Sequence, residues 1–332
     1  MKFTLSNFIR SQFTAVPQVT CPDLTGRVVI VTGSNTGLGY EAAKTFARHN
    51  PSRLILAVRN TLAGNKAAQE IVQAHGGKCT VPEIWELDLG QLQSVREFGV
   101  RVYRELERLD VFFPINNIAN SLLSVLLITI LRKTAHLPPL PHSPNFKPHL
   151  SIVSSAVHYW IYGVLPGMKE GRKDTLQCFQ EEELFVPSAR YNETKAVNIM
   201  NAFILADLLG SEVIVNAVHP GLCHSGLMRE SVGINGCLIG LLKLIGARST
   251  EAGARNLVWA GTQDMSIGAY IHDCQVLEPS DFVLSTQGRE IGAEIWDEMK
   301  VIWKEKVNVD ADAIIKAAFL DPISMKRGEL QM

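Results

Sequence analysis

The sequence predicts an α/β fold: a doubly wound parallel sheet in a single domain with a C-terminal extension. Three observations predict it. Short β-branched runs alternate with stretches of helical apolar spacing along the first 110 or so residues, a pattern that folds as a parallel sheet covered by helices on both faces. A glycine-rich turn, Gly33-Ser34-Asn35-Thr36-Gly37-Leu38-Gly39, joins the first such run to the first such helix. The chain has 332 residues, 46% of them apolar, which suits a globular protein with a substantial core.

The elements follow in order. Residues 1–25 read as an amphipathic lead-in packed on the body of the domain. Arg27 to Val31 is the first strand, β-branched enough to be buried on both faces. Tyr40 to Ala47 continues the glycine turn as a helix. Arg53 to Val58 is the second strand, residues 61–75 a helix, Val81 to Leu87 the third strand, residues 91–107 a helix, and Asp110 to Phe113 the fourth strand. Crossovers in such units are right-handed. Residues 137–149 carry too much proline for a helix or central strand and read as a surface connector. Leu150 to Ser155 is the fifth strand, a polar segment covers about 160–186, and a helix starts at Tyr191 and runs through Leu208. Val213 to Val218 is the sixth strand, and Ala311 to Phe319 has helical spacing before a frayed end. The domain reading is therefore a lead-in at 1–25, a main domain at 26–305 and a tail at 306–332.

Composition excludes several classes. A net charge of −1 supplies no basic field for nucleic acid or anionic lipid. The six cysteines are scattered without a Cys-x-x-Cys pair, which is neither a disulfide scaffold nor a zinc site. His136, His142, His149 and His158 lack metal-ligand spacing, so no metal is expected. The apolar runs Leu122 to Leu131 and Cys237 to Leu242 are too short to span a bilayer, and the N-terminus lacks the apolar core of a signal peptide. A reducing, cytoplasmic setting follows.

The glycine turn sits between a strand and a helix, the context that a phosphate-binding turn needs. Glycine permits the tight turn and close approach of a pyrophosphate, and the helix offers its free N–H groups to the anion. Arg59 lies just beyond the second strand, and no acid occurs from 54 to 60. An acid near here would hold the ribose 2′-OH of NAD, whereas an arginine accommodates the 2′-phosphate of NADP. NADP(H) is the cofactor this favours. Farther along, Tyr191-Asn192-Glu193-Thr194-Lys195 puts a phenol and an ammonium four residues apart on one helix face. A nearby cation lowers a tyrosine pKa, and a phenol tuned in that way exchanges protons with a carbonyl or alcohol near neutral pH.

The Thr-Gly-x-x-x-Gly-x-Gly turn at 32–39, a strand ending Ile152-Val153-Ser154-Ser155, Tyr191-x-x-x-Lys195 and the Pro220-Gly221 turn occur in one order across roughly residues 25–275. In that set the chain resembles the short-chain dehydrogenase/reductase family, single-domain and Rossmann-like. It is most similar to the retinol-dehydrogenase and carbonyl-reductase sort, and among them to fungal reductases associated with secondary-metabolite pathways. The resemblance implies an NADP-dependent oxidoreductase acting on a ketone, an aldehyde or an alcohol. It implies Tyr191 as proton donor, Lys195 as its tuner and ribose ligand, and Ser155 rather than Ser154 as the residue that orients the carbonyl. It implies cofactor contacts from Gly33, Asn35, Gly37, Leu38 and Gly39, from Asp88 beside the adenine, and from Ser225 where the family's turn carries threonine. Asp88 also suits an N-cap for the next helix.

The middle of the chain departs from the family. Pro114-Ile115-Asn116-Asn117-Ile118-Ala119-Asn120 runs straight into Ser121 and an apolar helix. Asn116-Asn117 resembles a remnant of the family's Asn-Asn-Ala-Gly turn, but the better match is to the family's helix start, with Ile115-Asn116 in place of Val-Asn; on that reading the turn and the following loop are missing. Asn116 then matches the helix asparagine that would fix a water next to Lys195 and help hold the cofactor. A relative that binds nucleotide without turnover, as a binding or scaffold protein, is the alternative that this departure raises. An epimerase or dehydratase on nucleotide sugars would have a differently spaced glycine turn and a larger C-terminal domain. Cys223 has no evident base beyond His224 and reads as structural. The apolar segment 222–247 stands where the family has a mobile substrate lid, which implies a bulky apolar small-molecule substrate; the same run also suits a buried helix or a membrane-surface contact.

Overall fold

The structure, a computed structural model, describes residues 5–114, 119–161, 174–179, 181–224 and 246–320. The expected strands are found as β1 (Val28–Thr32), β2 (Arg53–Val58), β3 (Glu83–Glu86), β4 (Val111–Phe113), β5 (His149–Val153) and β6 (Ile214–His219). Two further strands, β7 (Ala269–His272) and β8 (Gln275–Leu277), complete the sheet. The strand order is β3-β2-β1-β4-β5-β6-β7-β8, parallel except for the β7–β8 pair. The order reverses between β1 and β4, where a doubly wound sheet opens a crevice at the carboxyl ends of its strands.

Alternation along the strands feeds two cores. Ile30, Ile55 and Phe112 point to one face, where they meet Val95, Phe98 and Val102 of α4 (Leu92–Glu105), Leu123 and Leu127 of α5 (Ala119–His136), and Val197 and Leu205 of α7 (Pro187–Leu209). Val29, Val31, Leu54 and Leu56 point to the other face. There they meet Ala43 and Phe46 of α2 (Gly37–Ala47), Ile71 of α3 (Thr61–Ala74), and Leu257 and Val258 of α8 (Thr250–Ala260). Both strand faces are apolar and buried, as both faces of a parallel sheet must be.

The lead-in contains α1 (Leu5–Phe13). Between β5 and α7 stand a 3₁₀ turn (Ala156–Trp160), the short α6 (Thr175–Cys178) and a second 3₁₀ turn (Glu182–Leu184). After β8 come α9 (Asp281–Leu284), α10 (Thr286–Val307) and α11 (Ala311–Leu320). The first part of the expected tail is thus the helix α11, tied to α5 where Arg132 donates to the Ala318 carbonyl at 2.6 Å and lies over the Phe319 ring. Among the described residues no helix is long and apolar enough to cross a membrane.

The amino ends of the strands carry a closed ionic network. Arg27 and Asp110 are almost wholly buried. The Asp110 carboxylate accepts from Arg27 Nη1 at 3.3 Å, from the Val28 N–H at 2.9 Å, and from Arg108 Nε and Nη2 at 2.8 and 2.6 Å. His149, at the start of β5, is also buried, with both ring nitrogens against backbone carbonyls, and burial lowers its pKa. These groups are structural, and the opposite ends of the strands carry the site.

Candidate active site

At the end of β1 the turn forms as the spacing predicts, and its three glycines meet two different demands. Gly33 and Gly37 have φ of +59° and +63°, conformations that L side chains rarely adopt. Gly39 is buried, and a Cβ there would stand 2.8 Å from the Gly33 carbonyl oxygen and 3.0 Å from Ser34 Cα. Ser34 Oγ donates to the Val31 carbonyl at 2.8 Å and the Gly33 N–H donates to the Ala57 carbonyl at 2.8 Å, which pins the turn to the sheet. Helix α2 opens at Gly37 with no acid in its first turn, leaving its positive end for an anion. Asn35, Gly37 and Leu38 are half-buried around this end.

Arg59 is exposed immediately past β2. Asp88 is half-buried past β3, and its carboxylate accepts from the Gly90 N–H at 2.9 Å and from Gln91 Nε2 at 3.2 Å. It therefore builds the turn that leads to α4, while the N-cap position itself belongs to Gln91. That corrects the N-cap expectation: the helix opens three residues later than an Asp88 cap requires.

Ser155, Tyr191 and Lys195 converge at the end of β5. The Ser155 hydroxyl stands close enough to the Tyr191 phenol to act on its ionisation, and Lys195 Nζ lies 5.6 Å from the Tyr191 ring centroid. The neighbouring serine is used otherwise, since Ser154 Oγ donates to the Lys195 carbonyl at 2.8 Å. Tyr191 sits four residues inside α7, not at its start. The helix begins at Pro187, a residue suited to the first helical position because its missing N–H has no intrahelical partner there. Burial raises the Tyr191 pKa, and the Ser155 hydroxyl pulls it the other way. The expected lowering by Lys195 is not found: desolvation of the phenol sets the direction, and the group that opposes it is Ser155. Burial also brings Lys195 down from 10.5 to about 8. Asn116, Ser225 and the greater part of the 222–247 segment lie outside the described residues.

Several residues that support this convergence escape a reading of motifs. Asn198 Nδ2 donates to the Val153 carbonyl at 3.0 Å, and Asn201 Nδ2 donates to Ser121 Oγ at 2.7 Å. With Lys195 they form a polar row at spacing three on the stretch of α7 from 195 to 202, where every residue is buried, and that row is the signal that could have found them. His158 is wholly buried between the Ser155 carbonyl, 2.7 Å from Nδ1, and the Ser280 N–H, which donates to Nε2 at 3.2 Å. Those partners require a neutral ring protonated on Nδ1, and burial lowers its pKa to about 4. Gly253 of α8 touches two turns at once. A Cβ there would stand 2.7 Å from Leu38 Cδ2 and 3.2 Å from the Pro220 carbonyl oxygen, and would collide with Cys223 Sγ. Cys223 itself is buried, with its thiol pushed up to about 11, and burial makes such a thiol inert.

A half-buried hydroxyl pair beside a buried ammonium, with a glycine turn at a helix N-terminus on the same sheet edge, is chemistry for moving a proton near a bound anion-bearing cofactor. Comparisons with known proteins agree with it. A family model described as short chain dehydrogenase matches residues 27–133. The short chain dehydrogenase/reductase dmxR8 of Cryptosporiopsis sp. (strain 8999) is 31% identical over 319 residues, covering 88% of this chain and 95% of that protein. The short-chain dehydrogenase anuD of Penicillium roqueforti (strain FM164) is 34% identical over 324 residues, covering 90% and 83%. Among solved structures, the short chain dehydrogenase from Shigella flexneri superposes with a TM-score of 0.55 at 17% identity, covering 81% of this chain and 99% of that one. A Shigella flexneri 2a str. 301 short chain dehydrogenase complexed with NADP gives 0.53 at 18% identity, covering 75% and 97%. These structural likenesses concern the fold.

Proposed function

The chain belongs to the short-chain dehydrogenase/reductase family, and on that premise we propose that it is an NADP(H)-dependent oxidoreductase interconverting a ketone or aldehyde with an alcohol. The observation that carries the proposal is the convergence of Ser155 and Tyr191 at the end of β5, with Lys195 beside the phenol ring. The proposed substrate is a bulky apolar small molecule, the proposed role secondary-metabolite biosynthesis, and the proposed setting the cytoplasm. The fungal relatives and the resemblance of the motifs support the role.

The residues present fit a dinucleotide. A Cβ built on Gly33 would meet nothing within 4 Å, so the turn has an open side above the positive end of α2, where a pyrophosphate fits. Gly33, Asn35, Gly37, Leu38 and Gly39 would hold that part, Asp88 the adenine side and Arg59 the 2′-phosphate. Lys195, and Asn116 and Ser225 if they follow the family pattern, would hold the nicotinamide end. When bound, the cofactor supplies the hydride.

The chain's own groups supply the proton. Tyr191 Oη holds it, and burial keeps the phenol protonated at neutral pH, the form needed to donate to a carbonyl oxygen. Ser155 Oγ, beside the Tyr191 phenol, orients that oxygen. Once the proton has left, the Lys195 ammonium stabilises the phenolate. This balance of charges favours reduction over oxidation.

Following NADPH absorbance with a panel of apolar ketones and aldehydes tests the proposal, and consumption with stoichiometric alcohol is the expected result. The chain between β4 and α5 is only residues 114–118, and this short connection favours a second reading, a nucleotide-binding relative without turnover. Tight NADPH binding with no consumption across the panel would select it.

A further inference from the structure

The Pro220-Gly221 turn follows β6 on the same sheet edge as Ser155 and Lys195, and the structure braces it from outside the region matched by the family model. Gln12, only 8% exposed, accepts the Leu222 N–H on its Oε1 at 3.0 Å. Arg248, also 8% exposed, is joined to the turn by backbone. Its N–H donates to the Leu222 carbonyl at 2.8 Å, and its carbonyl accepts from the His224 N–H at 2.9 Å. The Arg248 guanidinium reaches the Ser11 and Thr14 carbonyls at the end of α1, and Asp273 in the turn between β7 and β8. The Ser11 carbonyl belongs to the last turn of α1 and Thr14 follows the helix directly, a place where orphan acceptors and the negative end of the dipole attract a cation. Gly221 has φ of +87°, and a Cβ there would lie 2.9 Å from Arg248 Nη1, so the guanidinium packs flat against the turn. Arg255 of α8 adds a second rivet, donating to the Val16 carbonyl at 2.8 Å.

We propose that the N-terminal segment is a working part of the cofactor site, in which Gln12 and Arg248 are positioning residues that hold the Pro220-Gly221 turn in place for the nicotinamide end of the cofactor. This rests on the functional reading above. A turn that grips a reacting group must keep its geometry to about 0.5 Å, and a side-chain acceptor on its Leu222 N–H, carried by a segment clamped through two arginines, does that.

Two variants of nearly equal shape test it. Gln12→Met removes the acceptor, and Gln12→Glu keeps one. In the ligand-free chain, hydrogen exchange at the Leu222 amide is expected to speed up about fivefold in Gln12→Met, the worth of roughly one hydrogen bond, and to stay at the parent rate in Gln12→Glu. NADPH affinity, read from energy transfer between tryptophan and nicotinamide, is expected to fall by about the same factor in Gln12→Met and to be restored in Gln12→Glu. Unchanged exchange in Gln12→Met overturns the brace. Faster exchange with unchanged affinity overturns its role toward the cofactor. A parent chain that binds no NADPH overturns that role together with the functional reading, and is told apart because the exchange contrast between the variants would persist.

Discussion

Arg27 and Lys195 are both buried cations, one at the amino ends of the strands and one near their carboxyl ends. Arg27 faces Asp110, a carboxylate that also receives a backbone N–H and a second arginine. Burial lowers the Arg27 pKa, and Asp110 opposes it with charge and hydrogen bond. At Lys195 burial is the cause of the shift, and its ammonium is left poised at about 8. The contrast teaches where this fold accepts instability. A buried charge that only holds structure is neutralised by a partner, because an uncompensated one is costly. A buried charge beside a phenol and a serine is left titratable, as functional sites require.

The comparison can be broken or sharpened by substitution. The largest effect is expected from Tyr191→Phe, which should lower turnover by about 10³-fold or more while NADPH binding, followed by fluorescence titration, stays at the parent value; parent-like turnover would remove the acid role. Asp110→Asn should cost about 3–5 kcal/mol of stability in urea unfolding by stranding Arg27, with the kinetic constants of the folded fraction unchanged. Lys195→Met should do the reverse. A shift from 10.5 to about 8 corresponds to roughly 3 kcal/mol spent on keeping the ammonium buried, so the variant should unfold at higher urea while losing turnover. The sign also fixes a pH test. The folded chain releases the Lys195 proton near pH 8 and the unfolded chain near 10.5, so this group adds stability as pH rises between them. The stability gap between variant and parent should therefore narrow from pH 7.5 to 9.5. Over the same range, kcat/KM for reduction should fall as the ammonium is lost, and a flat profile would contradict the tuning role. The smallest effect is expected at the exposed Arg59, where Arg59→Ala should cut preference for NADP over NAD by about tenfold, measured as the ratio of the two kcat/KM values.

Much of this molecule can be read from its residues, for physical reasons that differ by region. The nucleotide turn is local: β-branched residues, then glycines, then a helix, all between Val28 and Ala47. The first six strands carry the same local signal. The hairpin β7–β8 does not, because its turn is made by Asp273 and Cys274, both in left-handed conformation at φ of +53° and +55°, in place of the Asn-Gly pair that marks such turns. The early start of α7 is signalled only by Pro187 in a polar stretch. Tyr191 and Lys195 are visible as a pair, but their pKa values are not, since desolvation depends on what the rest of the chain packs around them. Ser154 and Ser155 are adjacent and chemically alike; only the tertiary arrangement gives one to the Lys195 carbonyl and the other to the phenol. The bonds of His158 to Ser280, of Gln12 to Leu222 and of Arg248 to Ser11 each cross more than a hundred residues, and no short window contains both ends of them.

The missing side chain at Gly253 has one more consequence. Because the Leu38 side chain, the Pro220 carbonyl and Cys223 all crowd one point on α8, the glycine turn after β1 and the Pro220-Gly221 turn after β6 meet at this single position. On the proposed function these two turns hold the two ends of one dinucleotide, and their separation is set where they touch. A methyl group here would wedge them apart, so Gly253→Ala is expected to weaken NADPH binding, followed by fluorescence titration, more than it weakens binding of a mononucleotide half.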